Sequence, residues 1–567
     1  MRNLKLEAPY AAAVMACFAL VGYFFFTGLY CSDDTRYMIG AIKVAMGEPI
    51  AVASLAERRA VFLLPGAMMY QTGGSLEWMV VPYTGLFVVL GLAGYCLARR
   101  FLGRLASLLS TVLAVAQPVF FLYAGAMLPD LSSTLFLIVG LLYLCLWMKA
   151  VSAPAAQPLG SAGHAFLLGM SMAVSFTIKE SGIVLMPVVA AMMILAGMRA
   201  GMGRLSRDVA IASTGFLLLL ALEALLFRSV AGQWYSSVGS LLVPHDLAGF
   251  VDSQGHGVLD RMRTLRYVLG GHTTALFVLA GLSTLHLAAR WWRGQMTRIE
   301  ALSWLALVGF WLWPLLYFSF GSASLKTYLL PVMQQRYYAP SIIPGAILAA
   351  HLGVNLFRWM RSRMPAWIPA VAIGVALLYL VSAPYQQRRD RGLIYSASAK
   401  EAFIQARNDA QKRFPGIPFH DVHSGWTTDL NRCRALLMPM REDGSNRLLA
   451  AISSGKDQAG DDFGYQTLQS SRLPVLVAGH GAYMEAPKQF AWVAQLQRGV
   501  TAGKYKVTLV GRYGQMTRKA LRGKAWLPRT VAVNSSSAAS VALDPPEASS
   551  PLDPQEVEMY LIEAADR

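Results

Sequence analysis

The sequence has 567 residues, of which 55% are hydrophobic and 14% charged, whereas a soluble globular domain carries about 25% charged residues. This composition excludes an ordinary water-soluble enzyme and favours a membrane protein, because the apolar excess needs lipid around it. The formal net charge is +18. The basic residues are spread in short clusters between apolar segments, which argues against nucleic acid as a partner.

Apolar segments long enough to cross about 30 Å of hydrocarbon recur along the first two thirds of the sequence. Nine are uninterrupted, and they cover residues 8–30, 78–98, 105–125, 131–148, 208–228, 273–290, 300–320, 338–358 and 365–384. A further apolar stretch, 163–198, contains Lys179 and Glu180, a charged pair that is costly in lipid, so we divide it there into two short spans. The sequence therefore predicts a polytopic α-helical membrane protein with about 11 transmembrane helices within residues 1–384.

Basic residues recur in every second connection between these segments. They stand near residues 2–5, 99–104, 149, 199–207, 290–298 and 358–363. The positive-inside rule predicts that these connections are cytoplasmic, together with the N-terminus. The first long loop, 31–77, and everything after about residue 385 are then exported.

The composition becomes that of a soluble protein after Pro384. Strand-like runs and one helix-like run follow, at residues 473–477, 490–497, 505–510 and 397–413 respectively. This pattern predicts a separate exported α/β domain over residues 385–567. From about residue 533 the chain is rich in Ser, Ala and Pro, which predicts a poorly ordered stretch.

The first exported loop opens with two adjacent carboxylates, Asp33 and Asp34, directly after the first span. Their repulsion means that at least one needs a cation, a metal or a hydrogen-bond donor beside it. The alternative is that both acids only cap the next helix. The adjacent pair Arg58–Arg59 lies further along the same loop and would supply positive charge.

This loop resembles that of the GT-C class of integral membrane glycosyltransferases, especially the aminoarabinose transferase and protein O-mannosyltransferase group. The loop in that group typically begins with an Asp-Glu-x-Arg-Tyr-like motif, and residues 33–37 here read Asp-Asp-Thr-Arg-Tyr. Arg58–Arg59 stands where the aminoarabinose transferases usually have a Lys-Pro-Pro element. The resemblance thus includes two departures, Asp for Glu at position 34 and the arginine pair.

Three later motifs fit the same class. Leu128-Pro-Asp130 resembles its second acidic motif, and the segment 177–182 with Pro187 resembles its Thr-Lys-Gly-Pro element. The segment 335–344, which contains Arg336 and Tyr337, resembles the Arg-Tyr-x-x-Pro-x-x-Pro entrance to a late span. In order and spacing the resemblance covers roughly residues 8–384, and it implies a GT-C-like transmembrane catalytic domain.

A sugar on a lipid phosphate already has a good leaving group, so inverting transfer needs one carboxylate base and cations beside the departing phosphate. The resemblance implies an undecaprenyl-like polyprenyl-phosphate sugar as donor and a periplasmic lipid, glycan or protein as acceptor, within the lipid of a bacterial inner membrane. The expected base is Asp33, with Asp34 and Asp130 orienting the acceptor or holding a divalent cation. The expected ligands of the donor phosphate are Arg58, Arg59, Lys179 and Arg336. The expected pocket residues are Arg36, Tyr37 and Tyr337.

Each charged element also has a structural explanation. Asp130 suits a helix N-cap, and Lys179 would pair with Glu180 at a helix turn. Arg336–Tyr337 would anchor a helix at headgroup depth, and Arg58–Arg59 would contact lipid headgroups. Two other functions compete with transfer: a transporter or flippase of lipid-linked sugars, and a non-catalytic envelope assembly protein. The position of the acids at one surface favours transfer over transport.

Overall fold

The computed structural model describes the chain in segments. They are residues 2–24, 33–48, 50, 56–73, 76–152, 158–198, 201–232, 234–238, 257–322, 330–331, 333–365, 367–382, 406, 409–417, 419–421, 473–480, 500–513 and 557–564. These residues divide into two compact units, one within Met1–Gly28 and Tyr37–Gln387, and the other within Leu29–Arg36 and Arg388–Arg567. The domain boundary expected at residue 384 stays a prediction.

The first unit is helical. Its helices are α1 (Arg2–Phe24), α2 (Asp33–Met46, which begins in the second unit), α3 (Ala60–Gly73), α4 (Leu76–Ala98), α5 (Arg104–Val115), α6 (Pro118–Tyr123), α7 (Pro129–Ser152), α8 (Pro158–Ile178), α9 (Met186–Gly197), α10 (Met202–Ala231), α11 (Val258–Trp292), α12 (Arg298–Phe320), α13 (Ala339–Arg361) and α14 (Trp367–Val381). Two short 3-10 helices, Glu180–Leu185 and Gln335–Tyr338, precede α9 and α13.

Within the described residues, nine helical stretches are long and apolar enough to cross a membrane. Two of the eleven predicted spans correspond to shorter helices, because residues 105–125 are divided between α5 and α6, and α14 has 15 residues. The division has a local cause at Gln117, which is extended (φ −77°, ψ 142°). Pro118 disfavours a helical conformation in the residue before it, so α5 ends there. The prediction of a polytopic helical membrane protein is confirmed.

The break predicted in the stretch 163–198 is present at Lys179. This residue is extended (φ −154°, ψ 125°), between the end of α8 and the 3-10 helix that begins at Glu180. Hydrogen bonding resumes at once, since the Gly182 amide donates to the Lys179 carbonyl at 2.8 Å. The chain therefore turns at the charged pair and continues into α9.

Helix α7 forms the centre of the bundle. Of its most apolar 18-residue window 72% is buried, compared with 17% of the corresponding window in α10. Pro129 is the first residue of α7, a position at which a backbone N–H would have no hydrogen-bond partner within the helix. Asp130 follows it in the first turn. The start of α7 thus carries a carboxylate into the protein interior.

Three helix ends meet at Glu7 of α1, at the other end of the bundle. Arg99, just after α4, and Arg104, the first residue of α5, contact the Glu7 carboxylate at 3.0 and 2.9 Å. The basic residues near 99–104 therefore lie at the same end as the beginning of α1, as the alternation of basic connections predicts. Their cytoplasmic location stays a prediction.

The second unit contains a four-stranded sheet with the strand order β1-β2-β4-β3. Its strands are β1 (Phe419–Asp421), β2 (Val475–His480), β3 (Tyr505–Tyr513) and β4 (Val557–Ala564). Strand β1 is parallel to β2, while β4 pairs with β2 and β3 in antiparallel register, for example Val477 opposite Tyr560. The predicted runs 473–477 and 505–510 fall on β2 and β3.

The rest of this region is partly described. The predicted strand 490–497 lies outside the described residues, and of the predicted helix 397–413 the residues 406 and 409–413 are helical. The predicted poorly ordered stretch from about residue 533 stays a prediction. Strand β4, which follows that stretch, was not predicted; Met559 and Ile562 are buried in it, so apolar residues after the Ser/Pro-rich stretch complete the sheet. An exported α/β domain over residues 385–567 stays a prediction.

Candidate functional site

A buried ion pair joins the start of α7 to the break after α8. The Lys179 ammonium donates a hydrogen bond to the Asp130 carboxylate, and the two residues are 8% and 4% exposed. Lys179 lies between two spans, and burial lowers its pKa to about 8 although Asp130 favours the charged form. The alternative prediction, that Lys179 pairs with Glu180, is wrong, because Lys179 pairs with Asp130.

The 3-10 helix before α13 brings an aromatic ring and a guanidinium to this pair. The Lys179 ammonium lies 4.2 Å from the centroid of the Tyr337 ring, and the Arg336 guanidinium carbon lies 5.8 Å from the same centroid. Both distances are within the reach of cation–π attraction. Arg336 also donates from Nε to Gln334 Oε1 at 2.9 Å, which orients its planar head.

Glu180 binds the arginine pair of the first loop. Its carboxylate lies 3.3 Å from Arg58 Nε and 2.5 Å from Arg59 Nη2. Arg59 also donates a hydrogen bond to the Tyr37 hydroxyl of α2. Burial would lower the pKa of Arg59, but the neighbouring Tyr37 and Glu180 keep it above its ordinary value. Glu180 is not among the predicted site residues; its signal in the sequence is an acid next to Lys179 in an apolar stretch.

The six charged residues just described form one group, which we name the cationic cluster: Arg58, Arg59, Lys179, Arg336, Asp130 and Glu180. Among the described residues, this cluster has four cations and two carboxylates, so these six side chains together carry an excess of positive charge. Such an excess in a buried site favours an anionic ligand, because low dielectric strengthens the attraction. The residues come from four separate parts of the chain, at the same end of the bundle.

A narrow cavity opens beside the Lys179–Asp130 pair. Its lining includes Asp130, Ser133, Lys179, Ser181, Phe318, Arg336 and Tyr337. The cavity volume is about 10 Å³, which is enough for about one water molecule. Four of the ten predicted site residues therefore share a cavity wall, while Arg58, Arg59 and Tyr37 join them through Glu180.

The remaining predicted site residues belong to the beginning of α2. Asp33 and Asp34 are its first two residues, and their side chains lie outside what the structure describes. Both acids stand in the first helical turn, where the helix dipole favours carboxylates, so the capping alternative is compatible with this arrangement. Arg36 is exposed and belongs to the second unit. The roles expected for these three residues stay predictions.

The described residues contain no group of three or more His, Cys, Asp and Glu side chains that could hold a metal ion. Asp130, which was expected to orient the acceptor or hold a divalent cation, has the Lys179 ammonium as a partner. A cation beside Asp130 would have to compete with that ammonium.

The helical unit defines a multi-pass membrane protein with a cavity lined by charged residues at one end. No protein-family model matches the sequence, and no curated protein does. Its fold is nevertheless that of the GT-C glycosyltransferases. ArnT from Cupriavidus metallidurans, in the apo state, aligns with a TM-score of 0.50 and 15% identity over 86% of this chain and 95% of that one.

A second solved structure has the same fold. The archaeal oligosaccharyltransferase AglB from Archaeoglobus fulgidus, in complex with an inhibitory peptide and a dolichol-phosphate, aligns with a TM-score of 0.51 and 13% identity. The alignment covers 88% of this chain and 73% of that one. At these identities the similarity concerns the fold, and the predicted GT-C class is confirmed at that level.

Proposed function

We propose that this protein is an inverting glycosyltransferase that takes a sugar from a polyprenyl-phosphate donor. It passes the sugar to a lipid, glycan or protein acceptor at the periplasmic face of a bacterial inner membrane. The observation that carries this proposal is the cationic cluster, in which four buried or half-buried cations converge at one end of a GT-C-like bundle.

The cluster suits the departing lipid phosphate. Arginine forks match phosphate oxygens in geometry, and a lysine adds a compact positive charge. Glu180 would keep Arg58 and Arg59 oriented, while Tyr337 would hold Lys179 and Arg336 near each other. The AglB structure was solved with a dolichol-phosphate, which is itself a polyprenyl phosphate and supports this class of ligand here.

The proposed reaction needs one base. The acceptor oxygen or nitrogen attacks the anomeric carbon, the bond from that carbon to the phosphate oxygen breaks, and the polyprenyl phosphate leaves with the electron pair. Asp33 would take the acceptor proton. It is the first residue of α2, the helix that also contains Tyr37, and Tyr37 contacts Arg59.

The other two acids would have supporting roles. Asp130 would hold Lys179 in position beside the phosphate, as its ion pair suggests, and Asp34 would orient the acceptor. Arg36 would complete the pocket at the start of α2. A transporter would require such groups near the middle of the bilayer, whereas Lys179 follows the end of α8 and Asp130 stands in the first turn of α7.

The release of free polyprenyl phosphate tests this proposal before the acceptor is identified, provided that the assay contains every acceptor class. Purified protein in liposomes of envelope lipids, with glycan and protein fractions of the envelope added as acceptors, is given a panel of polyprenyl-phosphate monosaccharides. Wild type should release the lipid phosphate, and Asp33→Asn should lower the rate by about 10²-fold or more, the usual contribution of a general base. Asp260→Asn is the matched control, because Asp260 is an exposed acid that also stands in the first turn of a helix.

Two results would count against the proposal. Release by Asp33→Asn at the wild-type rate would remove Asp33 as the base. A wild-type protein that releases lipid phosphate from no donor of the panel, while it translocates the intact donor across the liposome, would be a transporter.

A further inference from the structure

Arg261 is a fully buried arginine close to the beginning of α11. Its side chain is 0% exposed. Its Nε donates to the Ser319 carbonyl at 2.8 Å, and its Nη2 donates to the carbonyls of Phe318 and Pro331 at 3.1 and 2.7 Å. One guanidinium thus joins the beginning of α11, the end of α12 and the segment that leads to α13.

The backbone carbonyls that Arg261 binds explain why an arginine stands there. Phe318 and Ser319 are in the last turn of α12, where carbonyls have no partner within the helix and the helix dipole is negative. A planar guanidinium can donate to several carbonyls at once, which the ammonium of a lysine matches poorly. Burial of a charge is costly unless it is satisfied in this way.

The residues that Arg261 fixes form one wall of the cavity. Phe318 lines the cavity, and its ring packs 5.4 Å from the ring of Tyr337. The Ser319 hydroxyl is 3.5 Å from the hydroxyl of Tyr338, in the same 3-10 helix as Arg336. A shift of the α12 end would therefore move the ring on which Lys179 and Arg336 converge.

We propose that Arg261 is a positioning residue for the donor side of the site. It sets the Phe318–Tyr337 wall and, through that wall, the separation of Arg336 from Lys179. This inference rests on the proposed function. It adds that the beginning of α11 serves recognition of the lipid phosphate and not of the acceptor. Arg261 does not line the cavity, so it acts through the residues it holds.

The matched control lies two residues further along the same helix. Arg263 has a side chain that is 81% exposed and lies 3.7 Å from Asp260. We compare Arg261→Lys, Arg261→Met and Arg263→Met in purified full-length protein. The three readouts are hydrogen–deuterium exchange of residues 333–340, affinity for undecaprenyl phosphate, and the kinetic constants of the release assay.

The expected pattern separates positioning from general stability. Without ligand, Arg261→Met should speed exchange at residues 333–340, Arg261→Lys should do so less, and Arg263→Met should match wild type. Affinity for undecaprenyl phosphate should fall at least about tenfold in Arg261→Met. This is the effect of losing one hydrogen bond between the phosphate and a displaced Arg336 or Lys179. Arg261→Lys should recover part of that affinity, and in the release assay the donor KM should rise in Arg261→Met while Arg263→Met keeps the wild-type value.

A wild-type measurement covers the case in which the Arg261 variants do not fold. Undecaprenyl phosphate should slow exchange at residues 258–265 and 333–340 together, and slowing at 333–340 alone would overturn the proposal. Unchanged exchange at 333–340 in a folded Arg261→Met protein would also overturn it. If wild type binds no undecaprenyl phosphate, the proposed function fails, while the exchange data without ligand still decide whether Arg261 holds this wall.

Discussion

Lys179 and Asp130 form a buried ion pair although 49 residues separate them in the sequence. The pair joins the first turn of the central helix to the break that interrupts the apolar stretch after α8. A broken pair would leave one buried charge without compensation, which typically costs about 3–5 kcal/mol. The pair therefore affects folding, and it also places the Lys179 ammonium in the wall of the cavity. Substitutions can separate these two roles.

Asp130→Asn should lower the free energy of unfolding by about 3 kcal/mol, because it leaves the Lys179 ammonium buried beside a neutral amide. The double variant Asp130→Leu with Lys179→Met should recover most of that loss, since apolar side chains can replace a buried ion pair. It should still fail to bind undecaprenyl phosphate tightly. Thermal unfolding and ligand binding in the same detergent measure the two effects, and recovered binding in the double variant would contradict the assigned charge role.

Affinity for undecaprenyl phosphate should fall as the pH rises through about 8. The lowered pKa of Lys179 means that its ammonium is charged below about pH 8 and neutral above it. A titration from about pH 7 to about pH 9.5 stays above the second pKa of the phosphate, which is about 6. Lys179→Gln should bind more weakly and lose this pH dependence, whereas an unchanged profile in that variant would assign the titration to another group.

Glu180→Gln should lower turnover at least about tenfold, because Arg58 and Arg59 lose the carboxylate that orients them. Affinity for the lipid phosphate should change less, since loss of a competing negative charge partly offsets the lost orientation. Glu57→Gln is the matched control, because Glu57 is a buried acid of the first loop that pairs with Lys43 at 3.0 Å and is not a member of the cationic cluster. Equal turnover in both variants would show that Glu180 has no special role.

Gly182→Ala should destabilise the break after α8. A Cβ at Gly182 would lie 2.5 Å from the Ser175 hydroxyl and 2.8 Å from the Ser175 backbone, closer than real contacts allow. The strain should displace Lys179 and Glu180 and lower the melting temperature. Gly163→Ala in α8, where an added Cβ would meet no atom within 4 Å outside the adjacent backbone, should leave the melting temperature unchanged or raise it slightly. Similar behaviour of the two variants would mean that the Ser175 contact is not restrictive.

Much of the fold could be predicted from the sequence, because lipid enforces long apolar segments and charges mark their ends. The break at Lys179 followed from the cost of a charged pair in hydrocarbon. The short helices α5 and α6 were missed, since apolar composition alone does not reveal the effect of Pro118 on Gln117. Strand β4 was missed because a Ser/Pro-rich stretch directly precedes its apolar residues.

Most residues of the candidate site could be predicted from the sequence, but the ion pairs between them could not. Adjacent charges in the sequence suggested that Lys179 would pair with Glu180, whereas the turn at Lys179 directs the two side chains to different partners, Asp130 and Arg59. The positioning role of Arg261 could not be predicted, because its partners are backbone carbonyls that only the packed helices bring together. Such pairings depend on tertiary contacts that sequence spacing does not encode.

Equilibrium binding of undecaprenyl phosphate to the protein in nanodiscs tests the central claim most directly. Wild type should bind in a saturable manner, and the double variant Lys179→Gln with Arg336→Gln should bind about 100-fold or more weakly, as expected for two lost charged contacts. The control replaces Arg361 and Arg363, at the far end of α13 from Arg336, and should bind like wild type. Equal binding by all three proteins would contradict a lipid-phosphate site at the cationic cluster.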